Sequence, residues 1–197
     1  MKRSIIAASL ASSSNHPKYF TRDHQWIQQV DTSVDSKLKS TLNSSDEGVV
    51  VKIGITKEQS RYLPEHIVYI GTEVIRDMAA RRENVFVNEP ILEMDCLIAS
   101  EIRPVEPIRS PVSGVVLSLN QKLNNEEILE DFWKSEGRKE FGSILKTDPE
   151  KDGFICELEL SCKQEIEKLL NNQTLITGND YRKLLAKNEL NKVKSEN

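Results

Sequence analysis

The apolar residues of this chain come in short β-branched segments, and that limits its folds more than any other feature. Residues 49–56, VVVKIGIT, are the clearest case, and HIVYIG at 66–71 repeats the theme. Residues 154–160, FICELEL, alternate so that Phe154, Cys156, Leu158 and Leu160 share one face of a strand. HQWIQQV at 24–30 alternates more loosely. Residues 89–100 and 110–120 read as the two arms of a hairpin with Arg103 at its bend. Helical signals are fewer. KEQSRYL at 57–63 supports one or two turns before Pro64 stops them, and residues 74–86 have helical composition. The C-terminal part predicts one helix over 164–171 and a second capped by Asn179 or Asp180, with the last ten or so residues frayed. The expected fold is mainly β (α+β): a sandwich or flattened barrel of short strands with short helices, including C-terminal ones.

The chain has 197 residues, 38% of them hydrophobic, enough for one domain with additional segments. A net charge of -4 and a pI near 5.6 exclude the basic footprint of a nucleic-acid surface. No apolar run approaches the roughly 18 residues of a membrane span. Cys96, Cys156 and Cys162 are odd in number and lack metal-ligand spacing, so they read as reduced thiols packed as small apolar groups. Residues 1–17 differ from the rest, being rich in Ser and Ala. Lys2, Arg3, Lys18 and Arg22 precede the first acidic residue, Asp23. This is the composition of an organelle-targeting segment. Secretion is the rival reading, and only there would Asn172-Gln173-Thr174 matter as a glycosylation acceptor.

Catalytic and metal constellations are not visible. His16, His24 and His66 form no ligand or nucleophile-activating pattern, and Ser113 lacks the flanking glycines of a nucleophile elbow. DPEKDG at 148–153 lacks the spacing of a calcium loop and reads as a turn. Glu126, Glu127, Glu130 and Asp131 read as a solvated helix face. The residues therefore point away from an enzyme, with no catalytic residues and no metal ligands.

What remains is an ordered series of small motifs. Tyr19, His24 and Trp26 open it, with Asp23 beside them, and Gly54, Ile55 and Thr56 follow. Leu63, His66, Ile67 and Val68 come next, then the contiguous Ser110-Pro111-Val112-Ser113-Gly114. Asn120 and Leu123 precede Asp148, Pro149, Asp152, Gly153 and Phe154, and Tyr181 with Leu184 closes the series. In this order, over residues 19 to about 186, the chain resembles the glycine cleavage system H protein family. That family's pattern runs Y-x-x-x-H-x-W, V-G-I-T, E-S-V-K, S-P-V-S-G, V-N-x-x-L and D-P-x-G-x-G-W before a last helix.

The resemblance implies a lipoyl-domain-like barrel-sandwich hybrid. It also implies a lipoyl arm in amide linkage to the lysine of E-S-V-K at a hairpin tip, which carries an aminomethyl group between the enzymes of glycine cleavage. Counting back from Ser110 places Arg103 at that position, flanked by Ser100, Glu101 and Ile102. Acylation needs a neutral primary amine, and a guanidinium stays protonated with delocalised lone pairs. No lysine lies between Lys57 and Lys122. No cofactor is therefore expected, although the family would carry lipoate.

The expected domains are a targeting or disordered segment over 1–17, an H-protein-like domain over 18–186, and a charged tail over 187–197. Insertions fall near 31–47, 75–88 and 126–145. The expected function is that of a non-lipoylated H-protein paralogue, a non-catalytic binding, regulatory or structural subunit in the mitochondrial matrix or a related organelle. Expected partners are glycine cleavage or lipoylation enzymes or a larger mitochondrial complex, with no nucleic acid and no membrane span. The alternative is a working lipoyl carrier that shuttles the aminomethyl group.

Overall fold

A computed structural model describes residues 16–30, 48–64, 67–98, 101–123 and 143–195. His66, Ser100, the cluster Glu126 to Asp131 and the start of the targeting segment lie outside the described residues.

The β-branched segments form two antiparallel sheets. The larger has the order β11-β1-β2-β3-β10-β9-β5. Its strands are β1 (Lys18–Phe20), β2 (Gln25–Gln29), β3 (Val49–Ile55), β5 (Asn84–Val85), β9 (Gly114–Leu119), β10 (Phe154–Leu160) and β11 (Ile176–Thr177). In the smaller, β4 (Ile67–Gly71) pairs with β6 (Pro90–Ile98). On its other side β6 pairs with β7 (Glu101–Pro104) and β8 (Ile108–Arg109). Inward residues of both sheets share one core: Val51, Ile53, Val116 and Leu158 from the first, Ile67, Leu92, Met94 and Cys96 from the second. The mainly β barrel-sandwich of short strands is thus the observed architecture.

Helices close the ends. Thr56 caps α1 (Lys57–Arg61), its hydroxyl accepting from Gln59 N at 3.3 Å. The helix α2 (Glu73–Arg81) buries Ile75 over β9 and ends where Arg82 turns left-handed, φ 53°. Then come α3 (Ser143–Thr147), which buries Leu145, and α4 (Gln164–Asn171), which buries Ile166. The last, α5, spans Gly178–Ser195. Asn179 and Asp180 therefore lie inside its first turn, and Thr177 supplies the cap, its Oγ1 accepting from Asp180 N at 3.3 Å. The stretch read as a charged tail is helical as far as Ser195.

Two expectations about strands change. Residues 110–120 are not the return arm of β6. Residues 110–113 turn away, and β9 joins β10 and β5 in the other sheet. The actual return arm is Glu101–Pro104. In β10, register shifts between Phe154 and Cys156 and between Glu157 and Leu158 break strict alternation. Ile155 is consequently buried and Phe154 half-buried. Cys96 and Cys156 are core residues, and burial pushes the Cys156 thiol up to about 12, far from thiolate reactivity.

Candidate functional site

The hairpin comes first because it holds the predicted cofactor position. Its register pairs Asp95 with Pro104, Cys96 with Arg103, Leu97 with Ile102 and Ile98 with Glu101. Residues 99 and 100 alone connect the arms, so Arg103 sits on the return strand, beyond the connecting residues rather than at the bend. All four β7 residues are exposed. Glu101 and Arg103, two apart on a strand, share a face, and the guanidinium binds Glu101 Oε2 through Nη2 at 2.6 Å and Nε at 3.1 Å. Ile102 is exposed on the opposite face. Among the described residues β7 pairs only with β6, so it is an edge strand. Pro104 removes one donor from that edge.

The other recurrent motifs meet at the far end of β2 and β3. Trp26 lies directly opposite Gly54, and a Cβ on Gly54 would lie 2.6 Å from the indole ring. The indole Nε1 donates to Pro149 O at 3.0 Å, and the Lys18 ammonium sits 4.3 Å from the ring centroid. Burial lowers the Lys18 pKa, opposed by the nearby Glu150 and Asp148 carboxylates. Asp148–Gly153 is a turn, with Gly153 N donating to Asp148 O at 2.8 Å. A side chain at Gly153 would strike Ile144 O and Asp148 O. Asn120, 4% exposed, donates to Asp152 O and Phe154 O, both at 2.7 Å. Ser113 Oγ accepts from Val87 N, so its role is to brace a turn.

Tyr181 ties α5 to this end. Its ring stacks on Phe20 at 4.5 Å, and its hydroxyl donates to Thr56 Oγ1 at 3.0 Å. His24 Nδ1 lies 2.8 Å from the same hydroxyl and, with the phenol proton directed to Thr56, acts as donor. His24 holds φ 63°, and its carbonyl accepts from Thr56 N at 2.8 Å. Beside this cluster a cleft of about 630 Å³ opens between α1 and α5. Its α5 wall includes Asn188, Glu189 and Asn191, which sequence reading assigned to a tail. The signal available was their recurrence with Leu185 at spacings of three and four on a helix.

Among the described residues no group of His, Cys, Asp and Glu is placed to hold a metal ion, and no helix is long and apolar enough to cross a membrane. The hairpin does not fit a lipoyl group: its described residues carry no amine, and position 103 is a guanidinium engaged by Glu101.

The fold and these joints define a mainly β, two-sheet module stapled by Trp26, Asn120 and Tyr181. No family model matches the sequence. A Schizosaccharomyces pombe protein, provisionally named a mitochondrial glycine cleavage system H protein, is 23% identical over 157 residues, covering 80% of this chain and 67% of its own length. The glycine cleavage system H protein of Thermotoga maritima is 22% identical, covering 79% of this chain and 90% of its own. H protein 4 of Aquifex aeolicus is also 22% identical, covering 79% and 66%. Among solved structures, a glycine cleavage system H protein from Mycobacterium marinum aligns with a TM-score of 0.46 at 16% identity, covering 84% of this chain and 94% of that one. Over about four fifths of its length the chain is thus similar in sequence to proteins named glycine cleavage system H proteins.

Proposed function

We propose that this H-protein-like chain carries no lipoyl arm and acts through protein contacts, as a binding, regulatory or structural subunit of a mitochondrial assembly. The observation that carries this reading is the chemistry of the hairpin. Counted back from Ser110 along the family pattern, the lipoyl-lysine position falls on Arg103, and no lysine occurs between Lys57 and Lys122. A guanidinium does not accept an acyl group under the conditions that acylate an amine. Intact-mass measurement of the protein from its source is expected to show no lipoyl increment. An increment on most molecules would overturn the reading and restore the carrier function of the H proteins it is similar to.

The register adds a second obstacle. The family acceptor sits at a hairpin tip, whereas residue 103 here pairs with Cys96 within the strand ladder. Restoring the amine alone is therefore expected to fail. Arg103→Lys, incubated with a lipoate-attaching enzyme that modifies a bacterial H protein in the same reaction, should stay unmodified by mass. Efficient modification of Arg103→Lys would show that loss of the amine is the sole barrier.

A further inference from the structure

We infer that the cleft between α1 and α5 is a binding groove for an extended segment of a partner protein, independently of what position 103 carries. The cleft volume, about 630 Å³, lies in the range that holds a ligand. Its floor is already committed: the His24, Tyr181 and Thr56 side chains bond one another, and Glu150 Oε1 accepts from Lys57 N. The walls are not. The Lys57 ammonium and the side chains of Asn188, Glu189 and Asn191 have no hydrogen-bond or ion-pair partner among the described residues.

These free groups indicate the occupant. Each Asn amide offers a donor and an acceptor together, which is what a main chain presents at every residue. Asn188 and Asn191 are one helical step of three apart, a rise of about 4.5 Å along the groove. Exposed Tyr62 on the α1 side and half-buried Leu185 on the α5 side provide apolar contact between the polar groups. With Glu58 paired to Arg61, the unpaired charges differ by wall, a cation at Lys57 and a carboxylate at Glu189, so the complementary segment directs an acidic residue to α1 and a basic residue to α5. Polar groups spread along two exposed walls suit a chain lying lengthwise, whereas a small metabolite needs them converging on one point.

A phage-displayed library of random dodecapeptides, selected on the full chain, tests this. Enriched peptides, synthesised and titrated calorimetrically, are expected to combine an apolar centre with flanking residues of both signs. Their affinity should fall at least tenfold on Asn188→Ala/Asn191→Ala and on Tyr62→Ala, with unchanged thermal unfolding. Lys57→Glu should weaken binding, and a peptide with its acidic residue changed to lysine should recover it. Failure to enrich any peptide, or binding indifferent to all these substitutions, would overturn the assignment. Neither result bears on the mass of position 103, so the two readings can fail separately.

Discussion

Trp26→Ala is expected to cost about 3–5 kcal/mol of folding stability, the usual range for deleting a buried large aromatic side chain. Trp26 is 1% exposed and joins three segments that are remote in sequence. Its ring covers Gly54 on β3, its Nε1 holds Pro149 O of the 148–153 turn, and its face receives the Lys18 ammonium from β1. Truncation opens a cavity and leaves the Pro149 carbonyl without its donor, and the two effects add. Against a typical total of about 5–15 kcal/mol, this is a large fraction. Gly54→Ala approaches the same contact from the other side. Its Cβ would lie 2.6 Å from ring carbons, so ring or strand must shift, at about 1–3 kcal/mol. The two costs should couple: in the Trp26→Ala background Gly54→Ala should become nearly neutral. Urea unfolding of the four proteins in this cycle checks it, and additive losses would mean that the ring does not dictate the glycine.

This pair also shows why so much of the fold was legible. Trp26, Gly54, Asn120, Gly153 and Tyr181 are matched motif residues, and each turns out to fill a joint where backbone meets backbone too closely for another side chain, or where a buried carbonyl needs a donor. Such demands are local in chemistry, so they appear in the sequence as fixed residue types. Strand pairing is different. Residues 89–100 have strand character whichever neighbour they take, and nothing in their alternation distinguishes Glu101–Pro104 from Gly114–Leu119 as the partner. Pro107 and the 110–113 turn send the chain to the other sheet, and that choice depends on β10 more than 40 residues further on. The C-terminal helix was missed beyond residue 187 because charged, solvent-facing turns carry little apolar periodicity.

Tyr181→Ala should release α5 from the sheets, with a loss of about 3–5 kcal/mol if unfolding remains cooperative. Phe20 would lose its stacking partner, an interaction worth about 0.5–1.5 kcal/mol beyond area, while His24 Nδ1 and Thr56 Oγ1 would lose their shared hydroxyl. Hydrogen exchange should then accelerate over 178–195 before it does in β3 and β10, because few other contacts hold the helix to the core. Tyr181→Phe separates the two contributions, keeping the stack and removing the hydrogen bonds, for about 1–3 kcal/mol. It also carries a pH signature. Burial raises the Tyr181 pKa above the ordinary 10.0. Above pH 10 the unfolded chain releases this proton while the folded one retains it, so the stability contributed is full below that pH and is lost as pH rises through the folded value. Tyr69 and Cys156, also raised, act in the same direction, so the informative quantity is the difference between wild type and Tyr181→Phe. That difference should shrink as pH rises above 10. A constant difference would show that the hydroxyl stays accessible to water and that α5 is not locked at Tyr181, which would leave the groove beside it without a fixed wall.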